Sequence, residues 1–122
     1  MNKTILLFTF LILTKTVFAT VTKEEFESVK SALHQAYSEI SISTNDILKI
    51  NLAIPGLAPS YWWDIDMVHA SYVRFDDVEH TEHRIYLMGG FARLEGMTPD
   101  GLALTGCHEI AHGIGGPPFK DT

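Results

Sequence analysis

Near the start of the chain, apolar residues recur at three- and four-residue spacing: Phe26, Val29, Leu33 and Tyr37, with Ala36 and Ile40 nearby. Glu27, Lys30, Ser31 and Gln35 fall elsewhere, so the stretch predicts an amphipathic helix whose job is packing. Thr22-Lys23-Glu24-Glu25 just ahead of it fits a capping box, in which the threonine oxygen caps the helix and the glutamate reaches back. After a loop from Ser41 to Asp46 the period changes to two. Leu48, Ile50, Leu52 and Ile54 alternate with Lys49, Asn51 and Ala53 as a half-buried strand would, and Pro55-Gly56 stops it.

Asp66 to Phe75 is rich in valine and aromatics and suits a second strand. His83 to Met88 suits a third, with Ile85 and Leu87 alternating with Arg84, Tyr86 and Met88, and Asp76-Asp77 marks a turn between the two. Gly89-Gly90 ends that strand. Thr98-Pro99-Asp100 then opens a helix with a capping hydroxyl, a proline at the first helical position and a carboxylate near the positive end of the dipole. This helix is expected to run from Pro99 to about Gly113. The order of helix, strands and helix is an α+β layout, with a small, mostly antiparallel sheet. No internal repeat or low-complexity linker interrupts it.

The first 19 residues stand apart from this pattern. Lys3, an apolar run from Ile5 to Leu13, and compact residues at Val17 and Ala19 read as a secretory signal cleaved before Thr20. The run is well short of the ~20 apolar residues that a spanning helix needs, and Lys15 closes it. No cysteine follows it to carry a lipid. The domain is therefore expected over residues 20–122, secreted or periplasmic, with no stable membrane anchor after cleavage.

The chain has 122 residues, 46% hydrophobic and 20% charged, which suits one small globular core and excludes disordered or multi-span classes. Removing residues 1–19 moves the formal charge from −6 to −8, with seven Lys and Arg against fifteen Asp and Glu. A nucleic-acid partner is disfavoured, because phosphate binding needs a basic stripe. The single cysteine, Cys107, cannot form an intramolecular disulfide, and a domain this small would gain from another staple such as a metal.

The last helix carries the chemistry, in His108-Glu109-Ile110-Ala111-His112. Histidines four residues apart lie one turn above each other, so their imidazoles can converge on one ion. Glu109 is rotated by about a quarter turn or slightly more from His108 and faces the open coordination position. There a carboxylate can take a proton from a zinc-bound water and later hand it to a leaving amine. A chance match to three fixed positions is on the order of a few in a thousand for a chain of this length, so context decides. Here the match falls in an independently capped helix, follows strands, and precedes the break Gly113-Ile114-Gly115-Gly116-Pro117-Pro118.

Between Gly101 and Phe119 the only formally charged side chain is Glu109. A helix so apolar all round is expected to be buried, and burying one carboxylate and two imidazoles unpaired would cost several kcal/mol. A bound cation removes much of that cost.

The stretch from Thr98 through Gly116 resembles the zincin metallopeptidases, and in particular a group of secreted bacterial proteins of that type. The resemblance is specific over about twenty-five residues and architectural elsewhere. It implies a zincin-like fold, zinc (Zn2+) as cofactor, His108 and His112 as its ligands, Glu109 as general base, and a peptide or protein substrate. Metzincins extend the motif with a glycine and a third histidine. Gly115 fits the former, but Pro118 stands where the latter belongs. Gluzincins take a glutamate from a later helix, yet none follows His112 and Asp121 is the sole remaining carboxylate. The resemblance is therefore gluzincin-like, with an expectation that the chain is incomplete at its C-terminus.

Elsewhere, His69 lies in a strand pattern, and His80 and His83 read as surface histidines of a charged hairpin with Asp76, Asp77, Glu79 and Glu82. His34 reads as a helix-surface residue and Cys107 as core packing. Tyr61, Trp62 and Trp63 suit either a cleft lining or core. The resulting expectation is an exported zinc-dependent peptidase, with the strand ending at Gly89-Gly90 offering its edge to an extended peptide. The competing expectation is a non-catalytic secreted module that binds metal or a partner.

Overall fold

The Thr22 side chain accepts from the Glu25 backbone N–H at 3.1 Å, and the Glu25 carboxylate accepts from the Thr22 N–H at 2.8 Å. The first helix, α1 (Lys23–Ile40), therefore begins at the capping box. It buries Phe26, Val29, Leu33 and Tyr37, the positions that its periodicity selects, while Ala36 and Ile40 stay exposed. The computed structural model describes residues 20–41 and 45–114. Residues 1–19, with the expected signal, the middle of the loop after α1, and residues 115–122 with Pro118 and Asp121 lie outside the described residues.

The remaining elements are β1 (Asp46–Ile50), α2 (Tyr61–Asp64), β2 (Ala70–Asp76), β3 (Thr81–Leu87), α3 (Gly89–Ala92) and α4 (Pro99–Ile114). Together they make an α+β fold with four helices and a three-stranded mixed sheet among the described residues. The strand order is β1-β3-β2. β2 and β3 form the expected antiparallel hairpin, with Tyr72 opposite Ile85. Its turn is held by Asp77, whose carboxylate accepts from the backbones of Glu79 and His80 at 2.6 and 2.9 Å.

β1 departs from the expectation. It pairs parallel to β3, with Leu48 opposite His83, so the sheet is mixed and not mostly antiparallel. The physical reason is the long connection from Asn51 to His69, which lets the hairpin turn back and insert β3 between β1 and β2. β3 is consequently bonded along both sides. The strand that ends at Gly89-Gly90 has no free edge for a peptide, and that expectation is corrected; the edges belong to β1 and β2.

β1 also ends earlier than its alternation suggests. Asn51 takes φ 52°, a left-handed conformation that asparagine tolerates, and is buried. Its side-chain amide donates to the Leu87 carbonyl at 2.9 Å and its side-chain oxygen accepts from the Leu87 N–H at 2.8 Å. The side chain thereby replaces one rung of the ladder while the backbone turns away. After β3, Gly89 and Gly90 lie against the Trp63 carbonyl and the backbone of Asp66 and Met67, where a β-carbon would collide.

The core lies between the sheet and the α1–α4 pair, around Phe26, Leu33, Leu48, Ile85, Leu87, Leu102 and Ile110. Burying side chains of this size stabilises by about 1.5–3 kcal/mol each. Trp63 is partly buried against the core, on Phe26 with ring centroids 5.3 Å apart, and the Arg93 guanidinium lies over the Trp63 ring, 4.8 Å from its centroid. Trp62 bonds the Leu52 carbonyl through its indole N–H at 2.9 Å and with Tyr61 lines a shallow pocket beside Asn51. No described helix is long and apolar enough to cross a membrane.

Replacing Asn51 with alanine should destabilise the domain by about 2–4 kcal/mol, since it leaves two backbone groups of Leu87 unpaired and strains the backbone. Asn51→Gly loses the same two hydrogen bonds but adopts the left-handed conformation without strain, so it should cost measurably less than Asn51→Ala in urea denaturation. Equal losses for the two would show that the left-handed conformation contributes nothing.

Candidate metal centre

Helix α4 starts as its sequence requires, with the Thr98 hydroxyl accepting from the Gly101 N–H at 3.0 Å, Pro99 at the first helical position and Asp100 in the first turn. At about 100° per residue, Leu102, Gly106, Ile110 and Gly113 form one stripe. The first three are buried. Gly106 allows α4 to close on α1, because a β-carbon there would collide with the Leu33 side chain.

The opposite side of α4 is open. His108 and His112 are exposed, Glu109 is half-buried between the two sides, and Leu104 and Ile114 are 72% and 48% exposed. The expectation of a helix buried all round is thus corrected. A single layer of two helices against a three-stranded sheet has nothing among the described residues to cover the outer side of α4. The cost of burying unpaired imidazoles does not arise at His108 and His112. Cys107 is exposed too, and is not core packing.

The ring centroids of His108 and His112 are 4.8 Å apart with the planes at 85°. One ligand atom from each of His108, Glu109 and His112 falls within 4.8 Å of the other two. A Zn–N distance of ~2.0–2.1 Å brings two nitrogens around one ion to roughly 3.4 Å, a closure that exposed imidazoles can reach by side-chain rotation. Two imidazoles and an oxygen donor are a zinc-type donor set, so the residues fit the ion. Among the described residues no further His, Cys, Asp or Glu belongs to this group.

The other histidines divide. His34 is exposed on α1 and His69 is exposed just ahead of β2. His80 sits in the hairpin turn between Asp77 and Glu82, at 3.2 and 3.1 Å. His83 is not a surface residue: it is 2% exposed, and that reading is corrected. Its position in β3 continues the inward alternation of Leu87 and Ile85, a signal that the surrounding acidic residues masked.

His83 leads back to α4 through Tyr72, a residue that sequence reasoning did not single out. The Tyr72 hydroxyl lies 2.8 Å from His83 Nδ1, and the Tyr72 ring stacks on His112 with centroids 6.2 Å apart and planes at 27°. Both Tyr72 and His83 approach Gly113 so closely that a β-carbon there would overlap them. Burial pushes the Tyr72 phenol up, so the hydroxyl keeps its proton, and the direction of its bond to Nδ1 follows the His83 tautomer. The other ring nitrogen of His83, Nε2, is buried without a hydrogen-bond partner and lies 3.9 Å from the Asp46 carboxylate.

Burial also holds the His83 imidazole below its ordinary range, against the opposing attraction of Asp46. The unfolded chain takes up this proton near pH ~6.5 while the folded chain resists it, so the contribution is complete above that pH and declines as pH falls below it. Wild-type unfolding free energy should therefore drop more steeply between pH 7 and 5 than that of His83→Gln, in urea titrations at several pH values. Parallel curves would mean that folding does not hold His83 neutral.

No protein-family model matches the chain, and no curated protein or solved structure matches it either, so its chemistry is read from the geometry of α4 and its neighbours.

Proposed function

We propose that the chain is an exported, zincin-like, zinc-dependent peptidase that hydrolyses peptide bonds in a peptide or protein substrate. The observation that carries this reading is the placement of His108 and His112 on successive turns of the open side of α4 with Glu109 beside them. The pattern of residues 1–19 supports export.

His108 and His112 would hold the ion through their imidazole nitrogens. Zinc, when bound, supplies a water of lowered pKa and polarises the substrate carbonyl. The Glu109 carboxylate accepts the proton of the attacking water and passes it to the leaving amine nitrogen. Its half-buried position keeps it next to the imidazoles while leaving it open to solvent. The exposed apolar side chain of Leu104, one turn before His108, extends the histidine side of α4 and offers contact area to a bound chain.

One observation favours a second reading. The described group contains two histidines and a glutamate, and a catalytic zinc ordinarily has three protein ligands with the glutamate left free. A non-catalytic secreted module in which Glu109 joins the two histidines as a metal ligand would use the whole described group.

Zinc titration of the purified chain, beside cleavage of a quenched protein substrate, separates these readings. On the peptidase reading Glu109→Gln keeps zinc stoichiometry and loses about 10²–10⁴ in turnover, whereas His108→Ala and His112→Ala lose the metal. Absence of zinc binding at micromolar metal would remove both readings, and zinc binding without Glu109-dependent cleavage would leave the second.

A further inference from the structure

Four rings form a column from one helix through the sheet to the other: Tyr37 of α1, His83 of β3, Tyr72 of β2 and His112 of α4. Successive centroids are 6.0, 5.9 and 6.2 Å apart. His108 follows, edge-on to His112 at 4.8 Å. The spacings lie within the range over which aromatic pairs attract, and the last two steps before His112 are near-parallel, at 25° and 27°.

Packing alone does not account for this column. His83 occupies a fully interior position in line with Ile85 and Leu87, where an aliphatic side chain would leave no buried polar atom. Instead the interior holds an imidazole with one nitrogen bonded to Tyr72 and the other unpartnered. Gly113 supplies the remaining condition, since only a residue without a β-carbon lets Tyr72 and His83 come so close to α4. A buried imidazole, a bonded phenol and a glycine socket all converge on the turn that carries His112.

We propose that Tyr72, anchored by His83, is a positioning residue that fixes the imidazole of His112 for metal binding together with His108. The inference rests on the metal centre of the preceding subsection. An exposed imidazole that must be ordered on binding loses conformational freedom, and ordering it beforehand raises affinity without adding a ligand. The effect matters most where few protein ligands hold the ion. Tyr72 reaches His112 and not His108 among the described ring pairs, so the two histidines differ: His112 is held by the sheet and His108 completes the pair from the free side of the helix. The bond to His83 determines where the Tyr72 ring lies, in the way that groups behind a metal ligand orient it.

Ring relaxation by NMR in the metal-free chain, followed by titration with cobalt(II) read by visible absorption, tests this. In the wild type the His112 ring should be more ordered than that of His108. Tyr72→Leu should make it as mobile as His108, weaken cobalt affinity about tenfold and alter the visible bands. Tyr72→Phe keeps the ring and removes only the hydroxyl bonded to His83, so its loss should be smaller but in the same direction; it carries the comparison if the leucine variant does not fold. A lowered melting temperature with unchanged His112 order and unchanged cobalt affinity would overturn the proposal, showing a structural role only. A wild-type chain that binds no cobalt would overturn the metal centre itself, whereas cobalt binding with His112 order indifferent to Tyr72 would overturn positioning alone.

Discussion

Helix α4 lies closer to its neighbours at two points than a β-carbon would permit, and the fold and the candidate site both depend on that approach. At Gly106 the neighbour is Leu33 of α1, and at Gly113 it is the bonded pair of Tyr72 and His83. The two glycines are seven residues apart, a spacing that returns to nearly the same side of a helix with a drift of only ~20°. Leu102 and Ile110 share that side and are buried. Docking by this stripe determines what faces away, and His108 and His112 are consequently exposed together. A larger residue at either glycine would tilt or lift the helix, and the orientation of the motif would change with it.

The same docking divides the polar chemistry into an outer and an inner part. The outer part is the exposed histidine pair with half-buried Glu109, which meets solvent and loses little by being unpaired. The inner part is His83, whose unpartnered Nε2 carries a desolvation cost of about 1–3 kcal/mol. Tyr72 joins them, with its hydroxyl on the inner group and its ring on the outer one. A buried polar group in so small a core costs stability, and Tyr72 is what links it to the exposed pair.

Local signals were legible where neighbours in sequence settle the outcome. The capping box of α1, its four inward positions, the Asp77 turn and the start of α4 at Thr98 all follow from contacts within a few residues. Pairing across the sheet was not legible, because the choice between β1–β2 and β1–β3 contact is made by a connection with no periodicity of its own. Exposure of α4 was misjudged for a related reason: an apolar composition shows what could be buried, but not how many layers exist to bury it. In the site, the His-Glu-x-x-His spacing exposed His108, Glu109 and His112 directly. Tyr72 matters only through tertiary contact and nothing in its own sequence neighbourhood marks it, while Gly113 was marked as a helix end and not as a point of close approach. His83 did carry a signal, since Ile85 and Leu87 share its side of the strand, but local charge outweighed strand alternation.

That outcome bears on what two histidines on one helix need in order to form a candidate metal pair. Helical spacing guarantees only that the side chains emerge on the same side; it does not order the imidazoles, which remain free to rotate at an exposed position. Order has to come from a second element that touches one of the rings. Here that element is β2, brought under α4 by antiparallel pairing with β3, and the register matters: Tyr72 opposite Ile85 puts its ring on the inner side of the sheet, whereas a shift of one residue would turn it outward. The hairpin thus does more than fill space beneath the helix. Its pairing places a phenol where it can bond an interior imidazole and stack on an exterior one, so the geometry of the motif is set by strand register as well as by the motif's own spacing.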